Sequence, residues 1–210
     1  MCKKLFLLFL TLTISLSFSS CSNGFSDSDM DIYEKIHKYY NKMESFSAEL
    51  DMSVFSNKTE NRYFVSQKFK SPDKFYMRLT DKDGLFSVLT VTNGAVTKVL
   101  ADGSDYALTV PSDDYLNMLF VNNFFRAYYA SERTSCRVNE SFSNSNKIVL
   151  EVFPEDEALS IKSVSLSIDN ETLLPDTMIF YGDDNKVLSK TKFINFKYNE
   201  KTEDSIFNTD

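Results

Sequence analysis

Two kinds of spacing run along the chain. Over most of its length apolar and polar positions alternate with period two, the pattern of half-buried strands. In Phe46-Ser47-Ala48-Glu49-Leu50-Asp51-Met52-Ser53-Val54 every second residue is apolar. The chain turns at Ser56-Asn57-Lys58 and returns over Arg62–Phe69. Ser71-Pro72-Asp73-Lys74, with Pro at the second turn position, leads into Phe75–Leu79. Further strands are predicted over Leu85–Thr92, Ala95–Leu100 and Tyr106–Val110, joined by the hairpin signal Asn93-Gly94 and by Asp102-Gly103. A second series covers Arg137–Phe142, Lys147–Phe153, Ile161–Ile168, Asp176–Tyr181 and Val187–Tyr198. Polar, turn-forming runs such as Ser143-Asn144-Ser145-Asn146 and Gly182-Asp183-Asp184-Asn185 separate them.

Two stretches carry helical spacing instead. Ile32, Ile36, Tyr39, Tyr40 and Met43 share one face of a first helix, which Ser28 or Asp29 can cap. Pro111-Ser112-Asp113-Asp114 opens a second helix of about four turns. It has Leu116, Phe120, Phe124 and Ala127 on one face and Met118, Leu119, Phe125 and Tyr128 nearby. A helix apolar around so much of its circumference needs cover on several sides. The order is therefore helix, about six strands, helix, about five strands. Hairpin spacing throughout argues against βαβ units. The predicted fold is mainly β (α+β): one strongly curved antiparallel sheet, an unclosed β-barrel, with the two helices on its concave face.

The N-terminus has a different pattern. Lys3 and Lys4 precede an apolar run from Leu5 to Phe18, and Ser19-Ser20 sit directly before Cys21. This is the layout of a bacterial lipoprotein signal, and the run is too short for a comfortable membrane span. Residues 1–20 are predicted to be removed and Cys21 to carry diacylglycerol and palmitate. Phe18 departs from the usual Leu three places before the cysteine, and an ordinary secretory signal with an incidental cysteine is the alternative. Residues 21–29 form the lipidated cysteine and a polar tether, 30–199 the domain, and 200–210 a tail that is polar apart from Ile206 and Phe207.

Charge narrows the partners. The full chain carries −7, and loss of Lys3 and Lys4 with the signal makes it −9. Such a chain is a poor nucleic-acid binder, and lipid rather than surface charge would hold it to a membrane outside the cytoplasm. With Cys2 removed and Cys21 acylated, Cys136 is the one free thiol. It reads as a small buried residue, with an intermolecular disulfide as the alternative.

Catalytic patterns are missing. His37 is the chain's single histidine, so no histidine-based zinc site can form, and its helical setting reads as a packed or solvated side chain. No CxxC, HExxH, GxSxG or Gly-rich phosphate loop occurs. The carboxylate groups, such as Asp113-Asp114 and Glu155-Asp156-Glu157, fall in predicted loops and caps and read as solvated turn residues. The positive signal is aromatic: 19 Phe and 11 Tyr with no Trp. Tyr39-Tyr40, Phe124-Phe125 and Tyr128-Tyr129 are paired on helices, so one member of each pair should point away from the first packing surface. Tyr39, Tyr40, Phe125, Tyr128 and Tyr129 are accordingly the candidate partner-binding residues, against the plainer reading of core. Open sheet edges also make a homodimer an option.

The order of elements resembles the periplasmic lipoprotein carriers of the LolA and LolB family. The segments "FSAELDMSV" and "YFVSQKFKSPDKFYMRL" resemble that family's opening strands, and "TVTNGAVTKVL" its central hairpin. "SVSLSIDNETLLPDTMIFYGDDNKVLSKTKFINFKYN" resembles its closing meander, with Pro175 after the strand-ending Asp169. The likeness spans most of residues 30–198. It implies an unclosed barrel with a helical lid and no catalytic residues. In length, lipobox and Lys/Asn-rich composition the chain is also similar to the GerS family of clostridial spore germination lipoproteins. That resemblance implies a LolA-like domain that binds and supports a spore-cortex N-acetylmuramoyl-L-alanine amidase of the CwlD kind, so that muramic-δ-lactam forms. It implies a place in the developing spore envelope and no cofactor of the chain's own, any zinc belonging to the amidase. The other reading is a carrier or receptor for lipid or lipoprotein acyl chains in a hydrophobic cavity.

Overall fold

The structure, a computed structural model, describes residues 27–94, 96–101, 108–110, 118–139, 147–154 and 161–208. Helix α1 (Asp27–Tyr40) is followed by β1 (Ser45–Phe55), β2 (Glu60–Lys70), β3 (Lys74–Asp81), β4 (Ser87–Asn93), β5 (Val96–Ala101) and β6 (Leu108–Val110). Helix α2 (Val121–Ala130) leads to β7 (Thr134–Asn139), β8 (Lys147–Val152), β9 (Ser163–Asp169), β10 (Pro175–Tyr181) and β11 (Val187–Tyr198). These eleven strands make one sheet in the order β6-β5-β4-β3-β2-β1-β11-β10-β9-β8-β7. Its pairings are antiparallel. Two meanders thus meet where β1 pairs with β11, and the sheet curves without closing. Six strands precede α2 and five follow it, as the alternation predicts.

The concave face is the core. Phe46, Ala48, Leu50 and Met52 on β1 are buried while their neighbours are not, and Val65, Gln67 and Phe69 do the same on β2. Ile148, Leu150 and Val152 on β8 face Val164, Leu166 and Ile168 on β9, all 1% exposed or less. Helix α2 lies in this hollow. Val121 and Phe124 are 0% exposed, and the Phe120 ring stands 4.9 Å from Phe75 and 6.3 Å from Phe46. The aromatic side chains therefore fill the concavity from the helix side. Helix α1 covers the rim beside β7 and the β9–β10 turn. The Tyr40 hydroxyl donates to the Leu173 carbonyl (2.7 Å) and Lys35 Nζ to the Asn170 carbonyl (3.2 Å). Asp169 shapes that turn by accepting from the backbone N–H groups of Glu171 and Thr172 and from the Thr172 hydroxyl. These bonds hold its carboxyl below the usual range.

Three expectations change. The second helix is shorter than about four turns: α2 covers 10 residues after a 3-10 turn at 118–119, and Phe120 has extended φ and ψ of −80° and 124°. Pro111 to Leu116 lie outside the described residues, as do Cys21 and the rest of residues 1–26. The strand predicted from Leu85 begins at Ser87, because the chain is still turning through Gly84 (φ 70°). Finally, the C-terminal segment belongs to the domain through residue 208. Asp204–Phe207 forms a 3-10 turn against β3 and β4, with Phe207 0% exposed. Asp204 bridges Lys70 and Lys74 at 2.9 Å each. Strand alternation puts both lysines and Val91 on the convex face. Phe207 and Val91 are both buried yet stand outside the main core, on the side where the turn packs against β3 and β4. Counting polar letters hides this, since one fully buried Phe outweighs the solvated residues around it.

Candidate partner-binding groove

Helices α1 and α2 meet along an aromatic seam. Tyr33, His37 and Tyr40 recur at helical spacing on α1 and face Phe125, Tyr128 and Tyr129 on α2. Tyr40 stacks on Phe125 at 3.9 Å between ring centroids, and His37 stands edge-on to Tyr129 at 4.7 Å. Tyr33 touches both Tyr128 (6.2 Å) and Tyr129 (6.1 Å). At the Tyr40 end the seam opens into a groove of about 480 Å³, lined by Tyr40, Asn41, Met43, Asn122, Phe125, Arg126, Tyr129 and Ala130.

The five candidate residues divide. Tyr40, Phe125 and Tyr129 come together as groove walls. Tyr128 is 2% exposed and runs beneath, its hydroxyl donating to the Ser135 carbonyl at 3.2 Å. Tyr39 is half-buried on the other side of α1, with its ring 4.3 Å from Tyr198, whose hydroxyl donates to the Tyr39 carbonyl. Phe124 and Phe125 are both buried, so that pair does not split into an inner and an outer member. Tyr40 and Phe125, at 5% and 3% exposure, are almost wholly covered, their rings stacked on each other.

Polar atoms decide what the groove can take. The Tyr129 hydroxyl and Asn122 Oδ1 are both shut off from solvent without a hydrogen-bond partner. Buried polar atoms normally have partners, and leaving one without costs about 1–3 kcal/mol. Both atoms are closed off, so a ligand in the groove would meet them only if its walls part. Burial pushes the Tyr129 hydroxyl far above its ordinary value, reinforced by Tyr33. Burial does the same for Tyr128 and Tyr40. All three stay neutral donors at any physiological pH. Arg126 stands exposed at the lip and donates to Asn123 Oδ1.

Residue spacing could have found Tyr33 and His37, which repeat the Tyr40 position along α1. It could not have found Met43, Asn122 or Arg126, because nothing local says which helix they will face. Among the described residues no group of three or more His, Cys, Asp or Glu side chains could hold a metal. No helix there is long and apolar enough to cross a membrane.

The family model described as sporulation protein YdcC-like matches residues 2–207. The chain belongs to the YdcC-like sporulation family. No curated protein matches it. Among solved structures, an uncharacterized conserved protein from Thermus thermophilus superposes with a TM-score of 0.53 at 14% identity, over 88% of this chain and 95% of that one. That likeness shows a shared fold. A LolA superfamily protein from Nitrosomonas europaea gives 0.44 at 14% identity, over 86% of this chain and 97% of the other. The structure of the CwlD amidase from Clostridioides difficile in complex with the GerS lipoprotein gives 0.49 at 18% identity, over 85% of this chain and 99% of the matched chain. The architecture of this YdcC-like protein is the unclosed barrel with a helical lid that the LolA and LolB resemblance implies.

Proposed function

We infer that this protein is a non-catalytic, membrane-anchored binding partner of a spore-cortex N-acetylmuramoyl-L-alanine amidase, held outside the cytoplasm by lipid on Cys21. The observation that carries the reading is the groove at residues 40–43 and 122–130: an apolar trough between the two helices, walled by Tyr40, Phe125 and Tyr129. Membership of a sporulation family supports the setting. The resemblance to the GerS family supports the choice of an amidase, which would bring its own zinc. The chain would act by contact, ordering the amidase so that the muramic-δ-lactam pathway can proceed.

The carrier reading meets an obstacle in the core. Phe46, Phe75, Phe120 and Phe124 occupy the concave face where an acyl chain would lie. The test mixes residues 22–210 with the candidate cortex amidase on peptidoglycan, with and without zinc, and follows the mixture by size-exclusion chromatography. Co-elution and faster zinc-dependent cleavage are expected. Separate elution and an unchanged rate would end the amidase reading.

A further inference from the structure

The C-terminal segment occupies a face of the sheet that other elements build. It leaves β11 through Asn199, where φ is 52°, and reaches β3 and β4 on the convex side. The contact has two parts. Asp204 stands 2.9 Å from both Lys70 on β2 and Lys74 on β3. Three residues on, Phe207 is 0% exposed. Strand β4 meets the same turn, and its convex-face Val91 is 4% exposed, whereas Phe64, an apolar residue elsewhere on that side, is 54% exposed.

Beyond Glu200 this segment is attached by side chains alone. Among the described residues, no backbone hydrogen bond ties residues 201–208 to the sheet. The last anchor is the Ser45 hydroxyl, which donates to the Glu200 carbonyl at 2.7 Å. The Asp204 ion pairs are open to water, so each is weak and salt screens it. Strands β3 and β4 hold their ladders with β2, with each other and with β5 whether or not the turn is seated. A segment that rests on one apolar side chain, with no ladder of its own, can leave while the strands stay paired.

We propose that residues 200–207 are a detachable strap, docked in cis on a face that recognises a carboxylate followed three positions later by an aromatic ring. The occupant is the chain's own terminus, and its chemistry defines the site: two lysines hold the acid, and the ring is buried against the sheet beside them. A partner segment with the same spacing would compete for this face. The strap shares no residue with the helix groove, so it stands or falls independently of the amidase reading. The test uses residues 22–210 carrying Val91→Cys and follows alkylation of the new thiol by peptide mass, with Cys136 read separately. Alkylation should be slow yet almost independent of urea up to about 1 M, because release of the strap exposes little surface. Adding Phe207→Ala should speed it about tenfold or more. A synthetic peptide of residues 199–210 should slow it again in that double variant, and the same peptide with Ser in place of Phe should not. In the chain with Phe207→Ala alone, the unaltered peptide should also shift the amides of Lys74 and Val91 in NMR spectra. The intact chain should show no such shift, since its own strap holds the site. Alkylation that climbs with urea as steeply as global unfolding, an unchanged rate in Phe207→Ala, protection by both peptides or by neither, or no shift at Lys74 and Val91 would each overturn the proposal.

Discussion

Tyr129 carries a hydroxyl that is closed to water yet has no hydrogen-bond partner, while Tyr40, one helix away, donates its hydroxyl to the Leu173 carbonyl. The same substitution should therefore act oppositely at the two positions. Tyr40→Phe should lower stability by about 1 kcal/mol, whereas Tyr129→Phe should leave it unchanged or raise it by a similar amount. Phe124→Ala, at 0% exposure in the middle of the concave core, should cost about 3–5 kcal/mol. Urea unfolding of the three variants checks the ranking. A Tyr129→Phe loss as large as that of Phe124→Ala would mean the hydroxyl is tied into the fold, contrary to its lack of a hydrogen-bond partner. The residue scale is also where sequence reading reaches least far. That tyrosines would pair on the helices was visible; which member would be sealed was not, because Tyr128 and Tyr129 differ only in which neighbouring element they meet.

Strands were legible because alternation and turn chemistry agree. Val187–Tyr198 is predicted and observed with the same bounds, and the Asn93-Gly94 signal stands between β4 and β5, with Gly94 at φ 65°. The C-terminal turn was not legible, since its anchor is a single Phe207, buried in a turn that packs against β3 and β4 far away in sequence. Phe207→Ala should lower stability by about 3 kcal/mol, against almost no effect for the exposed Ser205→Ala. An equal, negligible effect of both would show that the turn adds nothing to the fold. Acid should act on the same segment. Lys74 and Lys70 hold the Asp204 carboxyl below its ordinary value. At Asp176 burial opposes ionisation, but Lys147 and Thr177 outweigh it and the net direction is again down. A carboxyl lowered in the folded state stabilises the fold above its unfolded value and loses that contribution as the pH falls through the folded value. Stability should therefore be flat near neutrality and decline below about pH 4, set by the ordinary carboxyl value of 3.8. Stability that rises on acidification through this range would contradict these assignments.

At the scale of the whole molecule, two meanders joined at β1 and β11 make a hollow, and α2 fills that hollow with Phe120, Val121 and Phe124. An open barrel of this kind can hold a ligand in its concavity or present a surface to a partner. Here the filled concavity and the groove between the helices favour the second use. The period-two pattern announces the sheet and the resemblance to LolA and LolB announces its openness. The groove depends on how two helices distant in sequence lean together, which no local pattern encodes. Hydrogen exchange of residues 22–210, with and without the cortex amidase, tests the partner reading most directly. Slower exchange of the amides at residues 40–43 and 121–130 when the amidase is added, with the β7–β8 amides unchanged, is the predicted result. A complex that protects other segments and leaves these amides exchanging as before would contradict the groove as the binding site.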